Sequence, residues 1–172
     1  MIKSIKIISF CFIILSIFII AYLYFINKRS IVVQNKIIDS VFSIDNYEGE
    51  YLGYISIPKF NVKRVIKRGT SLSILDDLFV GLYEESSLFS NDLIILAGHN
   101  VPIVFSKLHE ISIGDSVFLI NNRINRRFDV YDIKIVREDD FSFFNNRNNE
   151  LLLITCTDVP GYRLLVFLKE VL

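Results

Sequence analysis

The chain has 172 residues, enough for one domain and an appendage. Nineteen basic residues balance nineteen acidic ones, so no net positive charge points to nucleic acid. All the acidic residues lie after position 30; past the basic residues flanking the apolar N-terminus, nineteen acidic stand against fifteen basic, a net charge of −4 and a mildly acidic, soluble surface.

In chain order, residues 1–6 carry Lys3 and Lys6. Ile7 to Ile26 is then a run of 20 residues without a charge. At about 1.5 Å per residue it spans roughly 30 Å, the thickness of a bilayer's hydrocarbon core. A cleaved signal peptide would have a shorter apolar region and end in small residues. This run ends Ala21-Tyr22-Leu23-Tyr24-Phe25, which is bulky, and Tyr22 and Tyr24 suit an interfacial belt. The expectation is a retained single-pass anchor over 7–26. Lys3 and Lys6 on one side face Lys28, Arg29 and Lys36 on the other, so basic residues alone do not orient it. Residues 27–50 have mixed polarity and no clear period, and read as a stalk. The folded domain is expected over 51–172.

Within that domain the signal is mostly strand. Tyr51 to Ile57 alternates and stops at Pro58. Val62 to Lys67, Leu93 to Ala97, Ser116 to Ile120, Phe128 to Val136, Leu151 to Thr155 and Tyr162 to Leu168 follow, rich in β-branched and aromatic residues and separated by Asn, Asp, Gly or Arg clusters. Two short helices are expected, Ser71 to Leu78 and Ile103 to Ile111, and a polar loop at Asn145 to Asn149. Many short strands with few helices imply a closed barrel or a sandwich.

Cys11 lies inside the anchor, so the domain holds one thiol, Cys156, and no internal disulfide. Cys156 closes the apolar run Leu151-Leu152-Leu153-Ile154-Thr155. Arg163 heads a second run seven positions later, and His99 follows Leu93-Ile94-Ile95-Leu96-Ala97-Gly98. A thiol, an imidazole and a guanidinium at strand edges are the parts needed for acyl transfer through a thioester. Each has a plainer reading: a free Cys is usually a small buried hydrophobe, His99 a satisfied strand-end histidine, Arg163 an edge-strand cation. His109, in Lys107-Leu108-His109-Glu110, reads as surface on the polar side of the second helix, too remote to move a proton at Cys156. Two histidines and no Cys–His cluster argue against zinc. No cofactor is implied.

Four segments in order resemble the sortases, membrane-anchored cysteine transpeptidases of Gram-positive bacteria. They are Ile57-Pro58-Lys59 leading to Arg68-Gly69-Thr70; Ala97-Gly98-His99-Asn100; Ile113-Gly114-Asp115-Ser116-Val117; and Leu153-Ile154-Thr155-Cys156 followed by Arg163. The resemblance covers 51–172. Leu152 departs from the family's usual Thr, and the gap from Cys156 to Arg163 is short for the family. The resemblance implies a closed, mainly β barrel of about eight strands with short helices, behind one N-terminal transmembrane helix. Residues 1–6 would be cytoplasmic and the domain outside the cell membrane. Cys156 would form a thioester with the Thr carbonyl of a sorting signal like Leu-Pro-x-Thr-Gly, and His99 would move the protons. Arg163 would stabilise the oxyanion or hold the substrate backbone. Thr155 would hydrogen-bond near the substrate, or be only a β-former. The implied partners are substrate proteins with a C-terminal sorting signal, and an amine acceptor on a peptidoglycan precursor or a pilin subunit. Glu84 and Glu85 lie where some sortases bind calcium, although a solvated turn explains them as well. Residues 30–50 show no Asp-aromatic lid and Arg137 to Glu150 is too short for the class B helix, which favours a compact, surface-protein-anchoring or class D-like enzyme. Two other readings stay open: a non-catalytic membrane-anchored β-barrel binding module and a hydrolytic cysteine peptidase.

Overall fold

The computed structural model describes residues 2–43, 51–142 and 148–171. The polar loop expected at Asn145 to Asn149 falls largely on 143–147, and the end of the expected stalk on 44–50, both outside the described residues. The chain divides into two compact units, Met1–Asn35 and Lys36–Leu172.

The first unit belongs to one long helix, α1 (Ile2–Ser43). The helix therefore continues through much of the segment read as a stalk. Phe12, Phe18, Ile20 and Tyr24 are each more than 60 % exposed along it. A soluble helix does not present such a surface to water, and α1 is long and apolar enough to cross a membrane.

The second unit is a closed eight-stranded barrel, in the order β1 (Tyr51–Ile57), β2 (Val62–Arg68), β3 (Val80–Leu82), β4 (Ile94–Ala97), β7 (Glu150–Cys156), β8 (Tyr162–Val171), β6 (Asn125–Arg137), β5 (Ser116–Ile120) and back to β1. The sequence pattern left barrel and sandwich open; pairing of Tyr54 with Ile120 between β1 and β5 closes the sheet. Two pairings are parallel, β2 with β3 and β4 with β7, and the rest are antiparallel. The expected strands all form, most of them slightly longer. β3 is additional. The short helix α2 (Leu72–Asp76) lies within the expected Ser71 to Leu78. The helix expected at Ile103 to Ile111 reduces to turns and a 3-10 segment, Ser106–Glu110.

Two apolar layers line the sheet. The interior holds Ile55, Ile66, Leu96, Phe105, Phe128 and Leu153 among others. On the opposite face of β4, β7 and β8 lies a second cluster of Ile95, Leu152, Leu165 and Phe167, with Val136 and Ile154 packed on it. Burial on both faces explains the unbroken apolar run of β7, whose side chains alternate between two hydrophobic environments.

Two motif segments prove to be one structural joint. Lys59 Nζ donates to Asp115 Oδ2 at 2.7 Å, Glu110 O at 2.9 Å and Ser112 Oγ at 3.1 Å. Asp115 Oδ2 also accepts the Ser112 backbone N–H at 2.7 Å. The Lys59 hydrogen bond is the main cause holding the Asp115 carboxyl below its ordinary range.

Candidate active site at the ends of β4 and β7

Parallel pairing sets the geometry. Ala97 of β4 stands opposite Ile154 of β7, and the Gly98 N–H donates to Ile154 O at 3.1 Å. Two residues further along each chain come His99 and Cys156, so both side chains leave the same end of adjacent strands. Antiparallel pairing then puts Arg163 of β8 directly opposite Cys156. Strand alternation assigns Cys156 and Arg163 to the face of the second apolar cluster, because Ile154 and Leu165 belong to it.

Gly98 is required by close packing. A Cβ there would stand 2.6 Å from the ring of Phe105, which is fully buried. Phe105 is held under the motif by its N–H, which donates to His99 O at 3.2 Å, while the Val101 N–H donates to the same oxygen at 2.9 Å. The tight turn after β4 thus fixes the backbone from which His99 projects.

The His99 imidazole is 29 % exposed, and its Nε2 lies 3.0 Å from Asp76 Oδ1. A carboxylate only accepts, so Nε2 carries the hydrogen and Nδ1 is left as the ring's acceptor nitrogen. Cys156 is exposed, as a nucleophile needs to be. Arg163 donates through Nη2 to Glu138 Oε2 at 2.9 Å. Asp76 and Glu138 went unnoticed in the sequence, since nothing in their spacing marks them among nineteen acidic residues.

A cavity of about 260 Å³ opens beside Cys156, lined by Phe105, Ile135, Thr155 and Leu164 and rimmed by His109 and Asp158. Thr155 is 3 % exposed and its Oγ1 has no hydrogen-bond partner among the described residues. Asn100, the last residue of the histidine motif, donates to Asp158 Oδ1 at 3.2 Å and so ties that motif to the loop after Cys156. His109 is on the surface, as expected, but it reaches the rim of the same cavity as Cys156, closer than expected. Glu84 and Glu85 are exposed on a turn closed by the Ser86 N–H donating to Tyr83 O at 2.9 Å. Among the described residues no three His, Cys, Asp or Glu side chains cluster as metal ligands.

A closed barrel with a thiol, an imidazole and a guanidinium at the ends of neighbouring strands defines a narrow class of proteins. A family model of the sortase domain matches residues 55–171, and the chain belongs to the sortase family, whose members are cysteine transpeptidases. It is 32 % identical over 111 residues to Sortase D of Bacillus subtilis (strain 168), covering 63 % of this chain and 55 % of that protein. The match thus spans little more than half the length of that relative. Sortase C1 of Streptococcus agalactiae superposes with a TM-score of 0.67 at 31 % identity, over 75 % of this chain and 71 % of that one. Sortase C of Streptococcus pneumoniae gives a TM-score of 0.66 at 28 % identity, over 72 % and 70 % of the two chains.

Proposed function

We propose that this chain is a membrane-anchored, class D-like sortase that cuts a sorting signal resembling Leu-Pro-x-Thr-Gly and joins the Thr to an amine. The observation that carries the reading is the parallel β4–β7 ladder, which sends His99 and Cys156 out of the same strand ends with Arg163 opposite the thiol. The Cys156 thiolate attacks the Thr carbonyl carbon. A C–S bond forms, the C–N bond to Gly breaks, and the departing amine takes a proton from His99. An acceptor amine then attacks the thioester, forming a C–N bond and breaking C–S, and gives its proton to His99. Arg163 offers forked, always-charged donors to the oxygen that becomes negative in each step, once it turns from Glu138. The class D-like assignment draws support from the B. subtilis relative. The substrates would be exported proteins bearing the signal, and the acceptor a cell-wall precursor.

The test incubates the full chain in detergent with a panel of sorting peptides, with and without an amine acceptor. Expected are cleavage after Thr, a ligated product when the amine is present, and an acyl adduct on Cys156 by mass spectrometry. Cleavage that never yields a ligated product would make the protein a hydrolytic peptidase. No adduct with any peptide would leave the binding-module reading.

A further inference from the structure

Arg163 stands between a thiol and a carboxylate. Its cross-strand partner on β7 is Cys156, and on β6 it is Val136. Glu138 comes two residues after Val136 and so returns to the face that carries Arg163 and Cys156. Its backbone is fixed there: the Glu138 N–H donates to Gly161 O at 2.9 Å, which carries the β6–β8 ladder one step past the end of β6. The segment Arg137-Glu138-Asp139 sorts its charges accordingly. Arg137 donates to Asp139, from Nε at 3.0 Å and from Nη2 at 3.2 Å. Glu138 is left for Arg163 and accepts from its Nη2 at 2.9 Å. A second bond of the Arg163 guanidinium runs from Nη1 to Tyr162 O at 3.4 Å. One acceptor is on β8 itself and the other lies past the end of β6; neither is on β7, where the thiol is. We propose that Glu138 is a positioning residue, which holds the Arg163 guanidinium off Cys156 in the resting site and yields it when a substrate carbonyl arrives. This rests on the transpeptidase reading above and adds how the resting site is held.

A guanidinium beside a thiol favours the thiolate. Held against a carboxylate, it presents the thiol with an ion pair whose two charges largely offset each other. The other charged groups around Cys156 do not depend on Glu138. His99 comes from the turn after β4, with Asp76 on its Nε2. Asp158 comes from the loop after β7 and is engaged by Asn100, and His109 stands on the cavity rim. Arg163 bonds to none of them. The pair with Glu138 is also able to open. The two side chains are 36 % and 55 % exposed, so water screens their attraction. A carbonyl under attack by Cys156 develops a negative charge where bound peptide excludes that water, and there it competes with the screened carboxylate for the same donors.

The experiment measures how fast iodoacetamide alkylates Cys156 in the full chain in detergent, as a function of pH. Mass spectrometry of the Cys156 peptide separates it from Cys11. Glu138→Gln loses the charge and Glu138→Ala loses the acceptor as well; far-UV circular dichroism reports that both fold. Each should be alkylated about two- to fivefold faster near neutral pH, the scale that an exposed ion pair allows, and its rate profile should move to lower pH. In an Arg163→Ala background the same substitutions should change the rate far less, because no guanidinium is left to release. An unchanged rate in both single variants would overturn the proposal. A gain at least half as large in the Arg163→Ala background would assign the effect to the carboxylate's own field and overturn it too. With a matched sorting peptide, kcat/KM of Glu138→Gln should rise; a fall would show that Glu138 aims Arg163 at the reaction, and the proposal would be wrong. Alkylation needs no substrate, so the two readings fail separately. Faster alkylation without an acyl adduct from any peptide would sink the transpeptidase and keep the held arginine, and an adduct with unchanged alkylation would do the reverse.

Discussion

In the proposed reaction His99 carries protons through one ring nitrogen, and the bond from Nε2 to Asp76 leaves Nδ1 for that role. Asp76 is 69 % exposed, so solvent screens its charge and its main effect is on orientation. Asp76→Asn should lower kcat/KM by roughly tenfold, far less than removal of His99, and Asp76→Glu should recover part of it. The independent readout is the 15N spectrum of the imidazole: the Nε2–H tautomer should dominate in the wild type and mix with the other in Asp76→Asn. An unchanged tautomer ratio would remove Asp76 from any positioning role. Arg163 invites a different substitution. Arg163→Lys keeps the charge and loses the planar fork, and Arg163→Ala loses both, so turnover should fall in that order. The second loss should reach about 10²–10³, the scale of one oxyanion donor, in cleavage of a matched sorting peptide by each folded variant. Wild-type turnover in Arg163→Ala would exclude it from the site and leave Cys156 standing. Cys156 and His99 stood out as candidates because their chemistry is rare in this sequence, Cys156 being the only thiol outside the anchor, whereas Arg163, one of nine arginines, was singled out by its spacing from Cys156. Asp76 and Glu138 were not, because acidic residues are common and what marks these two is a contact that only the fold creates.

Elements show the same division. The long strands were readable because β-branched and aromatic residues persist over five or more positions. β3 has three residues with Gly81 in the middle, too little for any period. It forms because the barrel closes around it. A Cβ on Gly81 would stand 2.4 Å from Gly69 O, and the Gly69 N–H donates to Leu82 O at 2.7 Å, so two backbones meet where a side chain would hold them apart. The expected helix at Ile103 to Ile111 lost to the same tertiary demand, since seating Phe105 beneath Gly98 tightens the chain into turns. The Lys59–Asp115 joint explains why two motif segments far apart in sequence belong together without touching the chemistry. The Asp115 carboxyl is held below its ordinary range, chiefly by Lys59, so its contribution is complete above the unfolded value near pH 3.9 and fades as the pH falls through the lower folded value. Asp115→Asn should therefore cost about 1 kcal/mol at neutral pH, discounted because Lys59 is 35 % exposed. That gap should close below about pH 4. Urea unfolding of both proteins followed by tyrosine fluorescence measures it, and a gap that widened on acidification would contradict the assigned role.

At the scale of the whole molecule, the chain joins a barrel with net negative charge to a helix whose apolar side chains stay exposed. The helix was legible because a charge-free run of 20 residues has few other uses, whereas closure of the barrel came from the family resemblance and not from the strand pattern, because it depends on residues as far apart in sequence as Tyr54 and Ile120. Orientation has to be argued from elsewhere. Lys3 and Lys6 precede the apolar run and Lys28, Arg29 and Lys36 follow it, so the positive-inside rule favours neither side strongly. The proposed reaction favours one side: a thiol that acts on sorting signals is useful only where exported proteins pass, and a barrel without an internal disulfide loses nothing on reaching an oxidising exterior. The N-terminus should therefore be cytoplasmic and the barrel outside, with the bulky end of the apolar run keeping the anchor uncleaved. Protease added to intact protoplasts should digest the barrel and leave a membrane-embedded fragment containing the first helix. Full protection of the barrel would reverse the orientation, and a mature chain that begins after residue 26 would show that the anchor is not retained.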